Sequence, residues 1–344
     1  MSEDRIEKPD LSRFVVWDLA VPMAGLYDNH MHRITFLDAS TIGSTPLDTL
    51  SQFGEIKTYA STSNKETKEH LAETTIAITN KVIIDGEIIA ASKNLKLICV
   101  AATGTNCVDL DAAREAGIPV CNVAGYSTAG VEQHTIGFLI NLSTNMHRLV
   151  AEPAKWAESP IFTRLDYPIT DLAGKTLGIV GLGTIGKSVG KVAQGLGMDV
   201  VELAREGSVE CICPRLPREQ FFSECDAISL HCPLTSETYG LINEETLGMM
   251  KPGAFLINTG RGQLINEEDL AAALKNGTIA GAGLDVLCEE PPPADHVLLD
   301  PGIPNLIITP HTAWASTESR TRLIDGVAQN IEAFLNGEKR NLVN

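Results

Sequence analysis

The stretch Lys175 to Gly190, K-T-L-G-I-V-G-L-G-T-I-G-K-S-V-G, constrains the fold more than any other part of the chain. Leu177, Ile179 and Val180 form a short apolar run of the kind that a buried parallel strand carries. Gly181, Gly183 and Gly186 follow in the spacing G-x-G-x-x-G, and a helix-like stretch comes next. Gly181 permits a tight turn, Gly183 lets a pyrophosphate approach bare backbone, and Gly186 brings the helix close to the strand. The free amides and positive dipole end of such a helix suit phosphates. The spacing alone is weak evidence in a chain with 29 glycines. With a strand before it and a helix after it, the stretch reads as a dinucleotide cradle formed by Gly181, Gly183, Thr184, Ile185 and Gly186.

A length of 344 residues leaves room for about two domains. From Arg33 onward, strand-like and helix-like stretches alternate, which argues for parallel sheets covered by helices. Strands are expected at Arg33 to Asp38, Ile56 to Ala60, Thr75 to Thr79, Lys96 to Ala101 and Ile118 to Val123, with helices at Leu47 to Phe53, Ser63 to Glu73 and Leu110 to Ala116. A long apolar-rich helix is expected from Val131 to Val150, followed by an irregular arm, Ala151 to Ala173, holding Trp156, Phe162 and Tyr167. Exposed aromatics on such an arm often bury against another subunit, which favours a homodimer; the alternative is that they cap their own domain. Six further strands follow, at Leu177 to Val180, Val200 to Leu203, Ala227 to His231, Ala254 to Asn258, Gly281 to Val286 and Leu306 to Thr309. A last helix, Ser316 to Leu335, is expected to cross back to the first unit. The division is therefore an α/β dinucleotide-binding domain over 128–318 and a smaller substrate domain made of 31–127 with 319–344. Residues 1–30 form an extension with no assigned role, and Met31 offers an alternative start.

Composition excludes several partners. A formal charge of −17 without a basic patch disfavours nucleic acid and anionic membranes. No apolar run approaches the ~20 residues of a membrane span. The acidic N-terminus suits neither a signal nor a transit peptide, so a cytoplasmic location is expected. Eight cysteines contain no C-x-x-C pair and read as reduced thiols. Cys211 and Cys213 lack further ligands at zinc spacing, and no metal site is expected.

In a dinucleotide fold an acid about twenty residues past the glycines holds the ribose hydroxyls of NAD. Here the tip of the second strand falls at Ala204, followed by Arg205. A small residue and a cation leave space and charge for a 2′-phosphate, which favours NADP over NAD. Glu202 is the alternative ribose ligand.

Three loops at strand ends carry chemistry: N-T-G-R-G with Arg261, L-D-V-L-C-E-E-P with Asp285 and Glu290, and T-P-H-T-A-W-A with His311 and Trp314. Ends of parallel strands open on one cleft. Hydride transfer to a carbonyl needs a proton donor for the developing alkoxide, and histidine suits that task near neutral pH. A neighbouring carboxylate, Glu290, would favour the protonated ring and fix its tautomer. The guanidinium of Arg261 matches the carboxylate of a 2-oxo acid.

These motifs, with S-L-H-C-P-L-T-S-E-T, M-K-P-G-A-F-L-I-N-T-G-R-G, G-A-G-L-D-V-L-C-E-E-P-P-P and T-P-H-T-A-W-A-S in that order, closely resemble the D-isomer-specific 2-hydroxyacid dehydrogenases, and among them the bacterial glycerate dehydrogenases or hydroxypyruvate reductases. The likeness spans about residues 31 to 344. It implies a Rossmann-type domain and a smaller flavodoxin-like substrate domain with the active-site cleft between them. It implies that Arg261 binds substrate, that Glu290 supports His311, and that His311 gives the proton. Asp285 would lie near the nicotinamide carboxamide, and the amides of Thr103 and Gly104 would receive the substrate carboxylate. His231, Pro233, Thr238, Thr259 and Gly260 would line the cofactor, G-Y-S-T from Gly125 would open the helix crossing between domains, and Trp314 would narrow the pocket for small substrates. Many relatives carry an acid at the position of Ala204 and alanine at that of Gly260.

The implied reaction is reduction of hydroxypyruvate or glyoxylate to D-glycerate or glycolate. Pyruvate and phenylpyruvate are the nearest alternatives. A phosphorylated substrate is disfavoured, because no extra basic cluster stands beside Thr103 in the sequence. A non-catalytic dinucleotide-sensing protein resembling the corepressors of this fold is the alternative from another class.

Overall fold

The strands I-A-I-T and L-I-C-V are buried at every position, as strands covered by helices on both faces must be. They lie in the first of two sheets in the computed structural model, which describes residues 32–204 and 213–344. The N-terminal extension, Arg205 and Cys211 are outside the described residues.

The first sheet is built from β1 (His32–Phe36), α1 (Asp48–Ser51), β2 (Gly54–Thr58), α2 (Thr67–His70), β3 (Ile76–Thr79), α3 (Gly86–Ala91), β4 (Leu97–Val100), α4 (Leu110–Glu115) and β5 (Val120–Cys121). Its five parallel strands run in the order β2-β1-β3-β4-β5, the flavodoxin-like order. Each expected strand of this unit is present. α3 has only six residues, and its start is marked by Asp85, whose side chain accepts from the Ile88 N–H; the hydrophobic pattern gave no sign of it.

The chain then forms α5 (Thr128–Thr144), α6 (Met146–Ala151), β6 (Thr176–Val180), α7 (Thr184–Gly195), β7 (Asp199–Leu203), β8 (Arg215–Leu216), α8 (Arg218–Glu224), β9 (Ala227–Leu230), α9 (Glu244–Met249), β10 (Phe255–Asn258), α10 (Glu267–Lys275), β11 (Gly281–Leu284), β12 (Leu306–Ile308) and α11 (Thr317–Leu335). The second sheet has seven parallel strands, β12-β11-β10-β9-β6-β7-β8, rather than six. The added strand, β8, is two residues long and lies between Pro214 and Pro217, too short for a periodic signal. With it, the order is that of a doubly wound dinucleotide fold, whose switch point falls between β6 and β9.

Two helices tie the sheets together. The expected helix Val131 to Val150 is two helices, because Asn145 adopts a left-handed backbone (φ 51°) and ends α5. Its Nδ2 donates to the Pro168 carbonyl at 2.8 Å, so the break is held by the arm beyond it. α11 begins after the cap Ser316. It buries Leu323, Ile324, Val327, Ala328 and Ile331 with Ile34, Phe36 and Ile78 of the first sheet. The chain's last helix thus crosses back, as expected, and completes the first sheet's core.

Candidate active site

The glycine loop leaves β6 with Gly181 at φ 93°, where a Cβ would stand 2.6 Å from the Cys232 amide nitrogen. At Gly186 a Cβ would run into the Gly181 carbonyl, which is how closely α7 approaches the turn. Above Gly183 nothing lies within 4 Å of a built Cβ. Closed sides, an open top and a helix N-terminus beginning at Thr184 and Ile185 fit a pyrophosphate.

The other expected cofactor residues gather at neighbouring strand ends. His231 follows β9, and burial pushes its pKa down to about 4, so it is neutral; its Nε2 is 2.8 Å from Ser229 Oγ. Thr238 Oγ1 donates to the Pro233 carbonyl at 2.7 Å, and Thr259 Oγ1 lies 3.2 Å from Thr135 Oγ1 on α5. At the tip of β7, Ala204 is exposed. Glu202 points inward and accepts from Arg215 Nε at 2.8 Å.

Three loops build the chemical end. Asn258, wholly buried at the end of β10, accepts from the Gly260 N–H at 2.9 Å and donates to the Arg261 carbonyl at 2.8 Å, folding the N-T-G-R-G turn back on its strand. A Cβ at Gly260 would make only ordinary contacts, the nearest at 3.5 Å, so the site has room for an alanine. The Arg261 guanidinium lies directly against Gly104, where a Cβ would collide with Nη2. Thr103 is held by its hydroxyl to the Val123 carbonyl at 3.2 Å and by Asn122 Nδ2 at 2.7 Å. Arginine from the second sheet and the glycine loop of the first therefore meet across one cleft.

His311 Nδ1 is 2.7 Å from Glu290 Oε2. The backbone of His311 is left-handed (φ 52°), unusual for a residue with a Cβ, and its N–H donates to the Asp285 and Thr309 carbonyls at 2.8 and 3.0 Å. Burial disfavours the charge on Glu290. The His311 hydrogen bond and charge, the Leu287 N–H and Lys81 together outweigh it and hold Glu290 below the usual carboxylate range. Asp285 is 1% exposed, and its carboxylate is taken up internally: Oδ1 accepts from Thr309 Oγ1 (2.5 Å) and Thr312 N–H (2.8 Å), Oδ2 from Ala313 N–H (2.8 Å). Trp314 meets Tyr126 edge to face at 6.2 Å and packs partly on the first sheet's core.

Three contributors escaped the sequence reading. His134 on α5 lies 2.9 Å from Thr309 Oγ1, and Lys81, just past β3, interacts with the charges of Arg261 and Glu290. Lys81 follows β3 as Thr103 follows β4, so the tendency of ligands to gather past strand ends points to it as well. The third is Glu267. It accepts from Cys288 N–H at 2.8 Å and from His296 Nε2 at 3.1 Å, while Gln263 Nε2 donates to the Cys288 carbonyl at 2.9 Å. The loop that bears Glu290 is thereby tied to the loop that follows Arg261. His296 Nδ1 accepts from Leu298 N–H, so Nε2 must carry the proton and Glu267 must accept twice. A glutamine cannot do both. Glu267→Gln is expected to lower kcat about tenfold with coenzyme KM unchanged, since the displacement reaches catalysis through loop geometry. An unaltered kcat in steady-state assays would limit Glu267 to a structural role.

Among the described residues no cluster suits a metal ion, Cys99, Cys107, Cys121, Cys225, Cys232 and Cys288 carry free thiols, and no helix is long and apolar enough to cross a membrane.

The sequence profile of the D-isomer specific 2-hydroxyacid dehydrogenase NAD binding domain matches residues 136–313. The chain is 39% identical to the hydroxypyruvate reductase of Blautia hydrogenotrophica over 322 residues, 91% of this chain and 99% of that one. It is 40% identical to the glycerate dehydrogenase of Methylorubrum extorquens over 320 residues, 90% and 98% of the two chains. A D-lactate dehydrogenase from Aquifex aeolicus, solved with NAD and lactic acid, superposes with a TM-score of 0.78 at 28% identity, covering 90% of this chain and 98% of that one. The doubly wound sheet and its glycine loop thus carry a recognised nicotinamide-dinucleotide domain, and likeness at this level extends over nearly the whole described chain. The protein belongs to the D-isomer specific 2-hydroxyacid dehydrogenases.

Proposed function

We propose that this enzyme reduces a short 2-oxo acid, hydroxypyruvate or glyoxylate, to its D-2-hydroxy acid. The observation that carries the reading is the 2.7 Å His311–Glu290 pair, set in the same cleft as Arg261 and Gly104 and on the sheet that bears the dinucleotide cradle. The names of the relatives from Blautia and Methylorubrum agree with it. The bound nicotinamide supplies the hydride. Gly181, Gly183, Thr184, Ile185 and Gly186 hold its pyrophosphate, with His231, Pro233, Thr238, Thr259 and Gly260 along the cleft. Arg261 and the amides by Thr103 and Gly104 fix the substrate carboxylate, which orients the carbonyl. Glu290 occupies Nδ1 of His311, leaving Nε2 to give its proton to the developing alkoxide. The substrate domain is residues 31–127 with 319–344, and 128–318 is the nucleotide domain. Assays of hydroxypyruvate, glyoxylate, pyruvate and phenylpyruvate with both reduced coenzymes test the reading. Coenzyme binding without turnover of any of them would replace it with a dinucleotide-sensing role.

NADP is the preferred coenzyme in this proposal. Its support is the exposed Ala204 at the tip of β7 and the commitment of Glu202 to Arg215, which among the described residues leaves the usual ribose position without its acid. The expected result is a kcat/KM at least about tenfold higher with NADPH than with NADH, as charge pairing of a 2′-phosphate implies, reduced selectively by Arg205→Ala. A strong NADH preference would overturn it.

The working unit in this proposal is a homodimer in the cytoplasm, a compartment in which free thiols persist. The arm after α6 is stitched together: Glu152, held at about 2 by Lys155, Arg164 and Tyr167, anchors it, and Arg148 lies 3.7 Å over the Tyr167 ring. Tyr167 is thus partly covered. Phe162 (89% exposed), Leu165 (74%) and Trp156 (62%) remain outside, a firm apolar surface of the kind an interface covers. Light scattering is expected to give twice the chain mass and, for Phe162→Glu with Leu165→Glu, the monomer. A monomeric parent protein would remove the dimer.

A further inference from the structure

Lys81 lies in a turn that the fold holds firmly. Asp38, buried past the end of β1, accepts from the N–H groups of Asn80 (2.9 and 3.1 Å), Lys81 (2.7 Å) and Val82 (3.3 Å). Thr79 Oγ1 donates to the Val82 carbonyl at 2.9 Å, and Cys107 Sγ to the Asn80 carbonyl at 3.7 Å. Beyond the turn Ile84 bridges to Val108, which lays this segment alongside the one carrying Thr103 and Gly104. Gly104 in turn lies against Arg261. The turn therefore sits at the cleft edge of the first sheet, beside the glycine that touches the guanidinium.

The charge on Lys81 is close enough to those of Arg261 and Glu290 to be repelled by the first and attracted by the second. Lys81 is exposed as a residue, yet desolvation of its ammonium and the nearby arginine hold its pKa below that of an ordinary lysine. Among the described residues, no ion pair within 4 Å includes Lys81. Two cations brought to one cleft by opposite sheets, neither of them in an ion pair within 4 Å among the described residues, are an arrangement that an anionic, oxygen-rich ligand relieves.

On the reductase reading given above, the polar groups of such a ligand can be allotted. The C1 carboxylate has Arg261 and the loop amides, and the carbonyl oxygen has His311. An oxygen on C3 is the group left over, and Lys81 is the cationic donor left over. A phosphate on C3 would bring two negative charges towards Glu290, whereas a hydroxyl brings none. We propose that Lys81 donates a hydrogen bond to a C3 hydroxyl, so that the site selects three-carbon 2-oxo acids hydroxylated at C3 over those with a bare methyl group or no third carbon.

Hydroxypyruvate and pyruvate differ by that hydroxyl alone. The test is kcat/KM for hydroxypyruvate, pyruvate and glyoxylate in the parent enzyme, Lys81→Met and Lys81→Arg, with saturating reduced coenzyme. Methionine keeps much of the stem and removes the donor. It is expected to lose about 10- to 100-fold on hydroxypyruvate and less than about threefold on the other two, the range for a hydrogen bond from a charged group. Lys81→Arg should recover part of the loss. An equal loss on all three substrates would place Lys81 on the shared carboxylate, and an unchanged hydroxypyruvate rate would take it out of the pocket; either overturns the proposal while the reductase reading stands. A parent enzyme inactive on all three would overturn both.

Discussion

His311→Ala is expected to lower kcat for reduction by about two to four orders of magnitude, the usual worth of a positioned general acid, with coenzyme KM close to that of the parent. The chain commits much local structure to this imidazole. Its backbone is held at φ 52° by the carbonyls of Asp285 and Thr309, and its Nδ1 is held by Glu290 at 2.7 Å. Such an outlier persists only where the surroundings over-determine it. Near-normal turnover in steady-state assays would exclude His311 as the acid. The pair also has an acid-side limit. Glu290 is held below the ordinary carboxylate range, so its pairing contributes fully above that range and is lost as the pH falls through the lowered value. Activity is expected to survive acidification somewhat beyond the point at which an unpaired glutamate would be protonated.

Asp285→Ala is expected to cost about 3–5 kcal/mol of stability and most of the turnover. The carboxylate is 1% exposed and accepts from Thr309 Oγ1, Thr312 N–H and Ala313 N–H, all in the loop that carries His311. Alanine would leave buried donors without acceptors and release that loop. Asp285→Asn is the sharper variant: it keeps the shape but turns one acceptor into a donor facing an N–H, and should fall between the two. Denaturant unfolding beside kinetics on both variants separates this role from contact with the nicotinamide carboxamide. Unchanged stability with weakened coenzyme binding would assign Asp285 to the cofactor.

Much of this arrangement could be read before any coordinates. The strand, glycine loop and helix from Lys175 are local: turn sterics and an apolar run specify them within one stretch, and the same holds for the buried runs of β3, β4, β9 and β10. Arg261, Glu290 and His311 were legible because each follows a parallel strand, and parallel strands deliver their C-terminal loops to one side. The two-residue β8, the short α3 and the break at Asn145 were not, since capping bonds and neighbouring strands decide them rather than periodicity. Tertiary structure alone decided that Asp285 spends its carboxylate on the His311 loop, that Glu267 ties the Glu290 loop down, and that the charge of Lys81, on the first sheet, acts on that of Arg261 from the second. The physical reason is common to these cases: a side chain's partners are set by distances between segments remote in sequence, and charge and hydrogen bonding act on those distances, whereas the apolar pattern reports only which face of an element is covered.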